Sequence, residues 1–232
     1  MKIVVLNFSG NVGKSTISRH LIAPRICSSV ISIESINSDG DEDNEALRGK
    51  QFQTLMDTLA IEDAAVVDVG ASNVEDFLNR MQSFKGSHED FDLYIVPTVP
   101  KTKQLKDTIS TIDYLAEIGV PASKIRVVFN MVEIDENPAE VFDGIIQYAE
   151  QAGTCVVSPD FVIHTNELFG KLKGTANSIA AILEDKTDFK FAIKEATDPA
   201  EKVRLSQALG MKRLAAGVQE ELDCVFKAVV EA

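Results

Sequence analysis

Short, uniformly apolar runs alternate along the chain with stretches in which apolar residues recur every three or four positions. The runs are Ile3-Val4-Val5-Leu6, Val30-Ile31-Ser32-Ile33, Ala64 to Gly70, Leu93-Tyr94-Ile95-Val96, Ile125 to Phe129 and Thr154 to Val157. A strand covered on both faces withdraws every side chain from water, so it reads as a continuous apolar run rather than an alternating one. Between the runs, helical spacing carries Ile17, Leu21 and Ile22, with Pro24 as the stop. It carries Leu47, Leu55, Met56 and Leu59 next, then Val74, Phe77, Leu78 and Met81, and then Leu105, Ile109, Ile112 and Leu115. Asn137-Pro138 supplies a cap and a first-position proline for a helix through Val141, Ile145 and Tyr148. Strand and helix therefore alternate five or six times, which predicts an α/β fold: a mostly parallel sheet with helices on both faces.

No strand pattern continues beyond Pro159. Leu168, Phe169 and Leu172 predict a helix that Ile179, Ile182 and Leu183 extend. Asp198-Pro199 then opens a long helix carrying Val203, Leu209, Leu214, Val218, Leu222, Val225 and Val229, with Gly210 as a point where it can kink. The expected organisation is an α/β core over residues 1–165 and a helical C-terminal region over 166–232 packed on it.

Composition narrows the class. An apolar content of 45% and a charged content of 25% are ordinary for a globular chain. No apolar run approaches the ~18–20 residues that span a bilayer. The stretch after Lys2 is too short for a signal peptide. Cys27, Cys155 and Cys224 are odd in number and widely spaced, which argues against a disulfide framework and against zinc, and makes the cytoplasm the expected compartment. His20, His88 and His164 form no metal spacing, and Ser72 lacks the surroundings of a hydrolase nucleophile. The apolar end, Cys224 to Glu231, is flanked by acids, unlike a membrane-surface helix, and reads as core or dimer packing.

The net charge of −13 opposes general adhesion to nucleic acid. It is unevenly spread: residues 1–166 carry 13 Lys/Arg against 25 Asp/Glu, whereas 167–232 carry 10 against 11. Direct contact with DNA, if made, is therefore expected in the C-terminal region, although its basic residues also suit a solvated helical surface.

The chemistry concentrates in Phe8-Ser9-Gly10-Asn11-Val12-Gly13-Lys14-Ser15-Thr16, between the first strand and the first helix. That setting is what a phosphate-binding loop needs, with glycines turning backbone N–H groups inward and a helix N-terminus aimed at the same place. In this reading Ser9, Gly10, Asn11, Val12, Gly13, Lys14, Ser15 and Thr16 bind the nucleotide. Lys14 reaches the β- and γ-phosphates, and Ser15 holds Mg²⁺. A Gly-Lys-Ser triplet also arises by chance as an ordinary turn, and Phe8 stands where the usual pattern has glycine. Asp68 closes the third apolar run and suits a Mg²⁺ partner, or alternatively caps a helix near Asn73. The loop, the Glu34 region and Asp68 all fall at carboxyl ends of strands, where open parallel sheets bind ligands. The polar 37–45 segment lacks the twelfth-position glutamate of a calcium loop.

Taken together, Ser9 to Thr16, Val66-Val67-Asp68-Val69-Gly70, Leu93 to Pro97 and Ile125 to Asn130 resemble the deviant Walker A ATPases of the ParA/MinD family over roughly residues 1–157. Within it, Asn7-Phe8-Ser9-Gly10-Asn11 and the helical tail look most like plasmid-stability proteins of the StbB type. The resemblance implies ATP and Mg²⁺ as cofactors and catalytic roles for Lys14 and Asp68. It also implies an adenine contact from Asn130, a nucleotide-dependent homodimer, a DNA-bound adaptor protein as partner, and a role in plasmid stability, positioning or transfer. There are departures. The family's signature lysine is Ser9 here, Asn11 replaces a glycine, and the acidic segment reads Glu34-Ser35-Ile36-Asn37, with Ile36 at the water-positioning aspartate, a role that Glu34 or Asp39 could take over. Slow ATP turnover without a partner is the expectation. A P-loop small-molecule kinase or synthetase and a non-hydrolysing nucleotide-binding scaffold are the alternatives.

Overall fold

The structure, a computed structural model, describes residues 1–33, 43–175 and 177–232, with side chains from 50 onward in the second helix. Six strands form one sheet: β1 (Lys2–Val5), β2 (Val30–Ile33), β3 (Ala65–Val69), β4 (Leu93–Thr98), β5 (Ile125–Val132) and β6 (Val162–His164). Their order is β2-β3-β1-β4-β5-β6, and every neighbouring pair is parallel. The chain thus builds to one side of β1 through β2 and β3, then crosses to the other side for β4. The carboxyl end of β1 is the resulting switch point, where the flanking connections diverge and leave a crevice.

The helices are α1 (Lys14–Thr16), which continues as a π-helical stretch Ile17–Ile22, then α2 (Asp43–Ile61), α3 (Val74–Ser83), α4 (Thr102–Glu117), α5 (Pro138–Val141) and α6 (Asp143–Ala152). Beyond the sheet come α7 (Glu167–Leu172), α8 (Ile179–Glu184), α9 (Phe189–Glu195) and α10 (Pro199–Glu231). The first helix ends before Pro24, as its sequence demands, and Arg25 turns back to donate to the terminal carbonyls of His20 and Leu21, both at 2.8 Å.

The continuous apolar runs are buried on both faces of the sheet. On one face Val4, Leu6, Val67, Val69, Tyr94, Val96 and Val127 join a core with Phe52 and Leu59 of α2, Phe77 and Leu78 of α3, Ile112 and Leu115 of α4, and Ile145 of α6. Neighbouring rings Phe52, Phe77, Phe91 and Tyr94 meet at tilted or edge-on angles, the arrangement their quadrupoles favour. The alternate residues Ile3, Val5, Val66, Ile95 and Val128 are equally buried.

Three expectations are corrected. The sixth strand is Val162–His164, not Thr154–Val157. Val156 makes only an isolated bridge to Arg126. The chain turns there (Phe161 N–H to the Ser158 carbonyl, 3.1 Å) and resumes pairing further along the eight-residue β5. The helix from Asn137 breaks at Phe142, whose ring stacks on Phe129 at 4.2 Å, so it forms as α5 and α6. The 168–183 pattern is two helices, α7 and α8. Gly174 takes φ 74° between them, and Ser178 caps the second by accepting the Ala181 N–H at 3.1 Å. Helix α9, unforeseen in the sequence, is capped by Asp188. The expected caps are present at Asn137, which accepts from Ala139 N–H at 3.1 Å, and at Asp198.

Two compact units result: Met1–Thr165 with Val225–Ala232, and Asn166–Cys224. In the second, Lys212 donates to the Asp185 carbonyl and its ammonium lies 5.9 Å from the Phe189 ring centroid. In the first, the buried Arg126 of β5 holds the last turn of α10. Its Nε donates to the Val229 carbonyl at 3.2 Å, and its other nitrogens donate to the Ala232 and Ser123 carbonyls. A guanidinium at a helix C-terminus satisfies orphan carbonyls and opposes the negative end of the dipole. Replacing Arg126 with Met leaves the buried Val229 carbonyl unpaired and strips the other two of their donor, and it is expected to cost about 1–3 kcal/mol of stability, measured by urea unfolding. A loss below about 0.5 kcal/mol would show that the contact contributes little.

Candidate functional site

The loop after β1 is held from below and closes over its own lysine. Leu6 N–H continues the ladder to the Ile95 carbonyl at 3.1 Å, after which the chain leaves the sheet. Asn11 adopts φ 59°, the left-handed region, which asparagine tolerates better than most side chains. The position is therefore filled without glycine. Gly13 takes φ 89° and serves as N-cap of α1. Here glycine is required twice over: the dihedral is left-handed, and a Cβ would stand 2.0 Å from Asn130 Nδ2. Asn130, at the end of β5, donates that same amide to the Val12 carbonyl at 2.9 Å. Its nitrogen is thus engaged in supporting the loop. Phe8 needs no glycine: it is half-buried and meets Tyr114 edge-on at 6.1 Å.

Lys14 is buried, and its ammonium donates to the Ser9 carbonyl at 2.7 Å and the Asn7 carbonyl at 3.2 Å. Burial lowers its pKa to about 8, against the opposing pull of the Asp68 carboxylate. Asp68 pairs in register with Val5, so the carboxylate of β3 stands beside the strand that launches the loop. Asp68 is 5% exposed, and its Oδ1 has no hydrogen-bond partner. Buried carboxylate oxygens are ordinarily satisfied, so this oxygen has capacity to accept a cation or a water. The N-cap position of α3 (Val74–Ser83) is Asn73. Ser15, in the first turn of α1, is exposed.

Lys14, Asp68, Asn130 and the loop residues 9–16 are thus gathered at the carboxyl ends of β1, β3 and β5. Ser9 has a different character from the one its position suggests. It is buried, its N–H donates to Asn7 Oδ1 at 2.7 Å, and its carbonyl holds Lys14. Glu34 and Asp39 lie outside the described residues. Sequence reading missed Asn7, Thr98, Thr108 and Thr111, a buried polar group beneath the loop. Their only signals are a lone amide directly after an apolar run and two threonines at helical spacing on the apolar face of α4.

The parallel sheet of order β2-β3-β1-β4-β5-β6 places the Gly-Lys-Ser loop after β1 beside the carboxylate that closes β3, the arrangement a phosphate-binding loop requires. Among solved structures, the chain is similar to apo McdA from Cyanothece, with 14% identity, a TM-score of 0.51 and coverage of 95% of this chain and 98% of McdA. It is similar also to pNOB8 ParA, with 10% identity, a TM-score of 0.51 and coverage of 98% of both chains. No family model matches the chain, and no curated protein does. The fold is shared with McdA and pNOB8 ParA, and identities this low speak for the fold rather than the chemistry.

Two outcomes are expected. Gly13→Ala must displace Asn130 and strain the loop, lowering stability by about 1–3 kcal/mol in denaturant titration. Lys14 has a folded-state value of about 8, below its unfolded value of 10.5. Between these the unfolded chain binds more protons, so the penalty for burying the charged lysine is present in full below about pH 8 and is relieved as pH rises toward 10.5. The stability of wild type relative to Lys14→Met should therefore climb across that window in urea titrations, and a flat difference would contradict the burial.

Proposed function

We propose that the chain is a ParA-like ATP-binding protein and slow ATPase, a nucleotide-controlled switch in plasmid stability, positioning or transfer, as the StbB-like loop suggests. The observation that carries this reading is the pairing of a carbonyl-bound buried lysine with an orphaned carboxylate oxygen at the switch point of the sheet. Lys14 and the loop backbone take the phosphates, and Asp68 and Ser15 hold Mg²⁺, which when bound offsets phosphate charge. Asn130 supports the loop from beneath and reaches the adenine edge. Glu34 is the proposed water-positioning base. Gain or loss of the terminal phosphate changes what Lys14 and Asp68 touch, giving the differential contacts a switch requires.

The switch would govern homodimerisation and contact with a DNA-bound adaptor, with any direct DNA contact made by the C-terminal region. The cytoplasm is the proposed setting. Among the described residues no helix is long and apolar enough to cross a membrane.

Ser9 limits the rate. A trans-acting cation at a phosphoryl-transfer site is worth about 10³–10⁵ in rate, and a buried serine supplies none. The same observation favours a second reading, a nucleotide-binding scaffold without turnover.

Calorimetry with ATP and ADP, alongside an ATPase assay, tests both. Wild type should bind Mg-ATP, Lys14→Ala should lose at least about tenfold in affinity, and Asp68→Asn should lose the Mg²⁺ dependence of binding. Turnover of the purified protein should lie below the ~1–100 s⁻¹ of kinases. Absence of ATP binding overturns the proposal, and binding with no hydrolysis, even with partner present, selects the scaffold.

A further inference from the structure

Asn7 is fully buried directly after β1, and both its amide hydrogens and its carbonyl oxygen are engaged. Its Oδ1 accepts the Ser9 N–H at 2.7 Å, and its Nδ2 donates to the Pro97 carbonyl at 2.8 Å and to Thr108 Oγ1 at 2.9 Å. Only a carboxamide provides one acceptor and two donors in so small a group. Thr108 accepts from Asn7 and directs its own hydroxyl proton toward the Gln104 carbonyl at 2.7 Å and Thr98 Oγ1 at 2.9 Å, so its oxygen joins α4 to β4. One turn further along α4, Thr111 accepts the Phe8 N–H at 3.1 Å while donating to the Asp107 carbonyl at 2.7 Å.

The peptide joining Asn7 to Phe8 is trans and planar, so its N–H and carbonyl point in opposite directions. Thr111 holds the N–H toward α4, and the Asn7 carbonyl is thereby turned toward Lys14. The Asn7 side chain fixes Ser9, whose carbonyl is the second acceptor for the same ammonium. Both groups that hold Lys14 are therefore set from α4 and β4, not from within the loop.

We infer that Asn7 and Thr111 are positioning residues for Lys14, and that α4 is a second support through which the phosphate site and the α4 side of the sheet are coupled. The consequence for ligand binding rests on the nucleotide-binding reading above, whereas the placement of Lys14 does not. Two measurements separate them. Modification of the folded protein with an amine-directed reagent at pH 8, followed residue by residue by mass spectrometry, reports on Lys14 without nucleotide. Asn7→Ala should raise the Lys14 rate about tenfold while leaving the exposed Lys103 and Lys106 of α4 unchanged. Thr111→Val should raise it about threefold, and it keeps the test available if Asn7→Ala fails to fold. Unchanged Lys14 reactivity in the folded variants, or a rise shared by all lysines, overturns the inference whatever the ligand. Calorimetry with Mg-ATP then follows the same variants. Affinity loss that tracks Lys14 reactivity supports the coupling, and wild-type affinity in variants with a mobile Lys14 overturns it. Failure of wild type to bind ATP overturns only the function proposed earlier.

Discussion

Burying a lysine ammonium is the constraint around which this fold is arranged. A charge withdrawn from water costs several kcal/mol unless it is hydrogen-bonded or paired. Lys14 meets that demand with two backbone carbonyls and the field of Asp68. Backbone carbonyls point at a side chain only if the chain bends sharply. The left-handed Asn11 and Gly13 supply that bend, and the base of the loop must be held while it bends. Much of the polar structure in the core follows from this need, including the Asn7–Thr108–Thr98 cluster and the Asn130 contact with Val12.

The site also depends on strand order. Because β1 lies between β3 and β4, the loop leaving it is bordered on one side by Asp68 and on the other by Pro97 and Thr98. A sheet wound in one direction only would have placed these groups farther apart. The buried carboxylate oxygen left without a partner is a local instability tolerated at this edge, and such exceptions concentrate where a ligand completes the structure.

The legible parts of the sequence were those with a local physical cause. Continuous apolar runs announced five of the six strands, and Asn137-Pro138 and Asp198-Pro199 announced helix starts through side chains that act within three residues. The sixth strand escaped because Val162–His164 is only three residues long, whereas the more convincing run before it makes a single bridge. The break at Phe142 escaped because that residue's stacking partner is Phe129, thirteen positions earlier and on a strand. Helix α9 escaped because its few apolar residues, Phe189 and Ile193 among them, are too short a pattern to show a period.

By itself the sequence determined the fold class, the position of the phosphate-loop motif and the strand-end carboxylate, because each is a property of contiguous residues. What Ser9, Asn130 and Asn7 do was decided only by tertiary structure. Serine at the signature position reads as a missing charge, but the fold makes it a buried backbone ligand of Lys14. Asn130 reads as a base contact, yet it first braces Val12 from 118 positions away. Asn7 reads as the end of a strand, and becomes the junction of β1, β4 and α4 through bonds spanning 90 and 101 residues. Such partners meet only when strands order themselves side by side, and that order comes from packing helices on both faces, not from any local pattern.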